Sequence, residues 1–599
     1  MLNKTQLLTE ARNHLTQILQ SAKNEAESVQ ASIIRLRQRV RNFASIEGKV
    51  EPIILANNYI RQKQLEQIVG SPYFVRCDYV VDNMETKVAY IGKFQLSEAG
   101  VYSWVTPIAQ LRFGDIGPVN YQLPSQEIKA VSLVRKDQYM ITDSRLLLMA
   151  SEAMDYERTL IHQEYFSELK SEFALPEIIA RMERAQDQVI RADYRDSFLI
   201  SGPAGSGKTT LAFHRIAYLT QSPDTTKLFP GSNIIVFVQD ESTKNYFRAI
   251  LPQLGIEEVQ VTTFETWAFE ALQLTDLKYV WRYGETAADK NLFEWYKSQA
   301  LKALHNEKNI VTKPAVYLEN VYRDLLPPRF YTLFQKQLKE KLLDRFDLTL
   351  LLSNHLNVYR GITREQRVVT EDKHGTLKMQ NTRGGLAYSF MVVDEAENYS
   401  AEQIKIFQAC VNDTKAMLYV GDLSQQTRLG TIKNWQEVGE QFLDGRHIVL
   451  EKSYRNTKQV LEYIRNQGYE VEIQVNAKNG PAVEEKLFCD SNSLAEYIKV
   501  IALANVAVPV GVLLDDNLVN LIPEKLCHVA PNIKAMTIAE SQGVEFEVVI
   551  IIFDSTLQEV EALNPGALSP ELKKIQRDLR YVALTRSTNK LYVITYNQE

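Results

Sequence analysis

Two short stretches of this 599-residue chain carry residue types at spacings suited to phosphate chemistry. In the first, Gly202-Pro203-Ala204-Gly205-Ser206-Gly207-Lys208-Thr209-Thr210 follows the apolar run Phe198–Ser201 and leads into a helical pattern. Glycines at 202, 205 and 207, with Ser206 among them, let backbone N–H groups wrap phosphate oxygens, and the helix start adds its positive dipole end. Lys208 supplies a cation for the β- and γ-phosphates. The Thr209 hydroxyl, with Thr210 beside it, suits Mg²⁺. The second stretch, Phe390-Met391-Val392-Val393-Asp394-Glu395, ends a buried strand in two carboxylates. Asp394 suits a water-mediated Mg²⁺ contact, and Glu395 is placed to orient and deprotonate an attacking water. Such a pair suits hydrolysis better than nucleotide storage.

Three later segments supply groups for the transition state. Val420-Gly421-Asp422-Leu423-Ser424-Gln425 follows an apolar strand, so Gln425 belongs at a strand tip where it can sense a γ-phosphate. Ser453-Tyr454-Arg455-Asn456 offers an aromatic face for a base and a guanidinium for phosphate charge. Thr585-Arg586 offers a second guanidinium. Arginine at such positions stabilises the charge that develops on a transferring phosphoryl group.

The elements that must position these groups are apolar strands alternating with amphipathic helices from about Arg195 onward. That pattern predicts an α/β fold with parallel sheets and crossover helices. A charged helical insertion is expected over 275–385, ending in the polar turn TEDKHGTLKMQNTRGG. Upstream, the spacing of Leu7, Leu8, Leu15, Ile18 and Leu19 predicts a long helix. Gly48 and Pro52 break it, and a shorter helix follows. Residues 1–70 therefore read as a helical hairpin, with Arg35, Arg37, Arg39 and Arg41 forming either a solvated face or a partner-binding arm. Residues 71–150 read as a small β-rich domain, 151–192 as helical, 151–449 as the first α/β domain and 450–599 as the second.

Composition narrows the class. Lys and Arg total 68 against 74 Asp and Glu, a net charge of −6, which argues against a uniformly basic nucleic-acid coat. The four cysteines, Cys77, Cys410, Cys489 and Cys527, lack metal-ligand spacing and are expected to be small buried hydrophobes. The N-terminus lacks a signal peptide's apolar run, and no apolar stretch reaches membrane-spanning length. The expectation is a soluble, cytoplasmic, multidomain chain without a membrane segment. Trp267, Trp435 and His214 read as packing residues.

From about residue 180 the sequence resembles superfamily 1 helicases of the UvrD/Rep type. The match runs in order through AQDQVI, GPAGSGKTT, VTTF, VVDEAE, VGDLSQQ, SYRNT, TIAESQGVEF and RYVALTRS. The resemblance implies two RecA-like P-loop domains with ATP between them. It implies that Gln186 reads adenine, Tyr454 stacks on it and Glu545 meets the ribose. Lys208, Gln425, Arg455 and Arg586 would surround the γ-phosphate. Pro72-Tyr73-Phe74, Tyr90-Ile91-Gly92, Ser103-Trp104, His214-Arg215, Leu251-Pro252 and Gly430–Trp435 are similar to the HelD branch of that family, ATPases associated with RNA polymerase.

Two departures stand out. The family's DEXQD motif reads Asp394-Glu395-Ala396-Glu397-Asn398, and the aromatic expected shortly after Gln425 is replaced by Gln426-Thr427-Arg428-Leu429. Base stacking contributes about 1–3 kcal/mol per base, so the loss weakens a stepping motor. The resemblance implies an ATP- and Mg²⁺-dependent motor that binds RNA polymerase and remodels or releases it from nucleic acid. The alternative is a DNA helicase or translocase in repair or phage defence. An ATP-gated scaffold is opposed by Glu395 and the two arginines.

Overall fold

The computed structural model describes residues 4–42, 50–81, 85–123, 127–163, 189–203, 206–222, 225–254, 256, 258–303, 313–371, 377–412, 415–442, 445–450, 456–471, 473, 478–506, 508–515, 518, 530–541, 544, 546–554 and 568–597. They fall into two compact units. One comprises Met1–Arg191 with His214–Leu228 and Leu251–Ile256, and the other comprises the remainder.

In the first unit, helices Lys4–Asn42 and Val50–Gly70 pack together. Ala11, Leu15, Ile18 and Ala22 of the first and Leu65 and Ile68 of the second form one apolar core with Tyr73, Tyr90, Tyr139 and Met149 of the adjoining sheet. That sheet has seven strands, antiparallel apart from the pairing of Thr86–Gly92 with Val101–Ser103. A charged network fixes the first helix to it. Arg76 reaches both Asp78 (2.7 and 2.9 Å) and Glu10 (2.5 Å), while Arg135 reaches Asp137 (2.7 Å) and Glu10 (3.1 Å). The sheet continues past the expected boundary at 150. Tyr156–Gln163 pairs antiparallel with Arg145–Ala153, correcting the helical reading of that stretch. Tyr156, Thr159 and Ile161 are aromatic or β-branched, which suits a strand.

Among its described residues the second unit holds two large parallel sheets, so the α/β expectation is met. The first sheet runs, in spatial order, Gln260–Thr263, Ile234–Val238, Phe390–Val393, Met417–Val420, Phe198–Ser201 and His447–Val449. Its central strands are buried on both faces, which is why they read as unbroken apolar runs. The second sheet runs Glu484–Phe488, Ser587–Tyr596, Phe546–Asp554, Val510–Leu514 and Ile533–Thr537.

The 275–385 insertion contains helices Ala287–Ala303, Pro314–Leu325, Pro328–Lys339 and Arg345–Tyr359. It does not end in a turn alone. Thr363–Glu371 and Leu377–Gly385 form an antiparallel hairpin, because Val368, Val369, Leu377 and Met379 give the polar stretch enough β character to pair. Among the described residues no helix is long and apolar enough to cross a membrane.

Candidate active site

Parallel strands deliver their C-terminal ends to one edge of a sheet, and ligands of such folds bind there. In the first parallel sheet that edge carries the phosphate loop after Ser201, the carboxylates after Val393 and the loop after Val420. Backbone bonds tie them down: Asp394 N–H to Phe237 O (2.9 Å), Gly421 N–H to Ile200 O (3.0 Å) and Leu450 N–H to Ser201 O (2.8 Å).

Gly202 starts the phosphate loop at φ +144°, and a Cβ there would lie 2.3 Å from Leu450 O. Gly207 takes φ +87° at the foot of helix Lys208–Gln221, with open space where a side chain would stand. Between them the Ser206 hydroxyl is buried with no hydrogen-bond partner among the described residues. An orphaned buried hydroxyl in a cradle of N–H groups fits an anion. Lys208 Nζ folds over the loop and donates to Gly202 O (2.8 Å) and Pro203 O (3.1 Å). Thr210 follows on the same helix.

Thr209 Oγ1 donates to the Asp394 carboxylate at 3.2 and 3.4 Å, so the two side chains expected at Mg²⁺ are in contact. Burial, then the adjacent Glu395, pushes the Asp394 carboxyl up to about 8, against the pull of Lys208 and the Thr209 hydrogen bond. A hard divalent cation is the counter-charge such a crowded acid pair favours, so the donor set fits Mg²⁺. Glu395 takes a left-handed conformation (φ 49°), and its carbonyl accepts from Gln239 (3.3 Å).

Gln425 is buried, and its Nε2 donates to Gly202 O (3.1 Å) and Asp422 Oδ2 (2.9 Å). The strand-tip glutamine therefore lies against the start of the phosphate loop. Glu397, at the departure from the DEXQD pattern, is buried. It accepts from the Asp422 N–H (3.0 Å), which fixes the base of the Gln425 loop. Burial, followed by the charge of Glu395, raises its carboxyl well above the carboxylate range.

Arg586 is buried at the end of helix Leu568–Thr585 and donates to Val582 O (3.0 Å). The neighbouring Tyr581 phenol, pushed up to about 12 by burial, also feels Asp422 and, in the opposite direction, Arg586. The helix that Arg586 follows meets the Gln425 loop through Asp578 and Lys574. Gln186, Gly205, Tyr454, Arg455 and Glu545 lie outside the described residues.

Among the packing residues, Trp267 is buried against Phe237 and Phe407, and its Nε1 donates to the Tyr388 hydroxyl (3.2 Å). Trp435 packs on Tyr419 and Phe442. His214 is buried against Trp104. Cys489 corrects the expectation for the cysteines: it is exposed, just beyond the edge strand Glu484–Phe488, while Cys77 and Cys410 are buried.

The sequence reading missed a polar cluster joining Gln426 to Lys574 and Asp578, and Gly430 to Glu571. Its only trace in the sequence is their spacing of three and four residues on one helix face. It also missed Arg428, whose guanidinium lies 4.1 Å from the ring centroid of Trp281, a residue 42% exposed.

A family model described as "Viral superfamily 1 RNA helicase core domain" matches residues 332–595, and one described as "AAA domain" matches residues 186–431. The chain is similar to "ATP-dependent DNA helicase PcrA" of Staphylococcus epidermidis, 23% identical over 308 residues, covering 47% of this chain and 39% of that protein. The protein of the same name from Leuconostoc citreum is 22% identical over 289 residues, covering 44% and 36%. The chain thus spans less than half the length of these curated relatives. Among solved structures, "S. cerevisiae Dbp5 bound to RNA and ADP BeF3" aligns at a TM-score of 0.29 and 8% identity, covering 69% of this chain and 82% of that one.

Proposed function

We propose, from the premise that this chain is a UvrD/Rep-like superfamily 1 helicase, that it hydrolyses ATP and converts the cycle into movement against a nucleic-acid-bound partner. The observation that carries this reading is the meeting of Lys208, Thr209, Asp394 and Gln425 at one edge of one parallel sheet. Gly202, Gly205, Ser206, Gly207 and Thr210 cradle the phosphates, with Lys208 neutralising them. Thr209 and Asp394 would hold Mg²⁺, which supplies positive charge against the β- and γ-oxygens. Glu395 takes a proton from the attacking water, Gln425 senses the γ-phosphate, and Arg455 and Arg586 stabilise the charge of the transition state. Gln186, Tyr454 and Glu545 receive the adenine and ribose. Glu395→Gln should leave ATP bound and cut turnover by at least about 100-fold. Unchanged hydrolysis would remove Glu395 from the role of base.

The finer reading is HelD-like: the partner is RNA polymerase, remodelled or released from nucleic acid by nucleotide-driven domain movement. Its support is the run of HelD-like segments and the helical hairpin on a β-sheet upstream of both matched spans. The second reading, a DNA helicase or translocase, is favoured by the Trp281–Arg428 stack, an exposed aromatic that offers the stacking face the Gln425 loop lacks. ATPase activity measured alone, with single-stranded DNA and with the host's RNA polymerase, beside a pull-down of each, separates the two. Polymerase retention with a weak DNA response supports the first reading. Strong DNA stimulation with no polymerase retained supports the second.

A further inference from the structure

Gln426 occupies the position after the γ-phosphate-facing Gln425, and every polar atom of its side chain is engaged. Its Nε2 donates to Thr431 Oγ1 (3.1 Å) and to Ile432 O, which closes the loop on itself. Its Oε1 accepts from Lys574 Nζ (2.8 Å), and its backbone N–H donates to Asp578 Oδ2 (3.1 Å). Lys574 also reaches Asp578 (2.6 Å) and Leu423 O (3.0 Å). One turn earlier on the same helix, Glu571 accepts from the Gly430 N–H (2.9 Å). Glu571, Lys574 and Asp578 share one face of helix Leu568–Thr585, and they grip both ends of the loop between Leu423 and Gly430.

The two sides of this contact lead to opposite halves of the chemistry. The loop contains Gln425, whose Nε2 donates to Gly202 O of the phosphate loop. The helix ends at Thr585, followed directly by Arg586. Asp578 and Gln426 are both buried while the Lys574 side chain is 45% exposed, so the hold on the loop lies mainly in the hydrogen bond between the buried Asp578 carboxylate and the Gln426 N–H.

We propose that Lys574 and Asp578 are positioning residues that couple the Gln425 loop to the helix bearing Arg586, so that the arginine is brought to the γ-phosphate only when that loop is in place. The proposal rests on the ATPase reading above. It assigns to this loop a polar connection to the second sheet's domain in place of the missing base-stacking aromatic.

The test uses the full chain with Lys574→Met and Asp578→Asn, both close to isosteric, the two combined, and Lys574→Arg as the conservative control. Steady-state hydrolysis should show kcat lowered by about tenfold or more in either single variant, with KM for ATP within about twofold of the parent. The double variant should be no worse than the singles, and Lys574→Arg should recover most of the rate. Hydrogen exchange supplies a readout that does not need turnover. Magnesium with a non-hydrolysable ATP analogue should slow exchange in both 421–432 and 568–585 of the parent, but only in 421–432 of the variants. Parental kcat together with a parental exchange pattern in the variants would overturn the coupling. If the parent binds the analogue without hydrolysing ATP, the ATPase reading falls, and the exchange pattern still decides the coupling. If the parent shows no exchange response to nucleotide at all, both fall.

Discussion

Gly202 has no room for a side chain. Its φ of +144° disfavours any other residue, and a Cβ would press on the Leu450 carbonyl at 2.3 Å. Gly202→Ala should therefore weaken nucleotide binding by at least about tenfold, measured with a fluorescent ATP analogue, while the unfolding midpoint moves little. An affinity equal to the parent's would mean that the loop does not hold phosphate in this form. Such residues are readable from sequence because their requirement is local: a glycine turn, a lysine and a hydroxyl lie within eight positions on one strand–helix junction. Asp394 is readable for the same reason, at the end of an apolar strand. Glu397 and Gln426 are not. Their partners, the Asp422 N–H and Lys574, lie 25 and 148 residues away, and no periodicity announces them.

At the scale of elements, charge misled where it is buried. The insertion reads as a set of charged helices, yet one of its charges, Lys297, is wholly buried. Its Nζ donates to Asp344 (2.6 Å), to Asp347 (2.8 and 2.9 Å) and to Gln337 (2.9 Å). It thereby ties helix Ala287–Ala303 to Pro328–Lys339 and Arg345–Tyr359. Lys297→Met should destabilise the fold by about 3–5 kcal/mol, because two buried carboxylates lose their cation. The loss has a pH signature. Burial, then Asp344, pushes the Asp347 carboxyl up to about 6, above its unfolded value. A group shifted in that direction favours the fold most in acid, and its contribution fades as pH rises through about 6. The deficit of the variant in urea denaturation should accordingly be smaller near about pH 5 than near about pH 8. An equal deficit at both would mean that Asp344 and Asp347 do not need the lysine's charge. The strands of the parallel sheets were foreseeable because apolar runs bounded by Gly or Asp have few alternatives. The hairpin Thr363–Glu371 with Leu377–Gly385 was hidden by its polar composition.

At the scale of the whole molecule, the two readings of the partner diverge on the first unit, which carries exposed Ile34 and Ile54 on its two helices. Under the HelD-like reading, Ile34→Asp combined with Ile54→Asp should reduce polymerase retention in a pull-down by about tenfold. ATP turnover without polymerase should stay at the parental rate. Retention equal to the parent's would place the polymerase contact elsewhere or exclude it. The helices themselves were legible from Leu and Ile spacing. The polar network of Glu10, Arg76 and Arg135 that fixes them to the sheet was not, because its members come from three distant segments.

The first unit is completed by His214–Leu228 and Leu251–Ile256, segments that come after the phosphate loop in the chain. Within it, the Arg215 guanidinium donates to Val189 O (2.7 Å), and Gln221 donates to Leu254 O. The arrangement defeats the simplest dissection of the gene. A clone starting after Arg191 would encode His214–Leu228 and Leu251–Ile256 without the rest of the unit they complete, and Arg215 would lose its acceptor at Val189 O. The residues up to Arg191 and these two later segments therefore form one unit that no single cut in the chain separates.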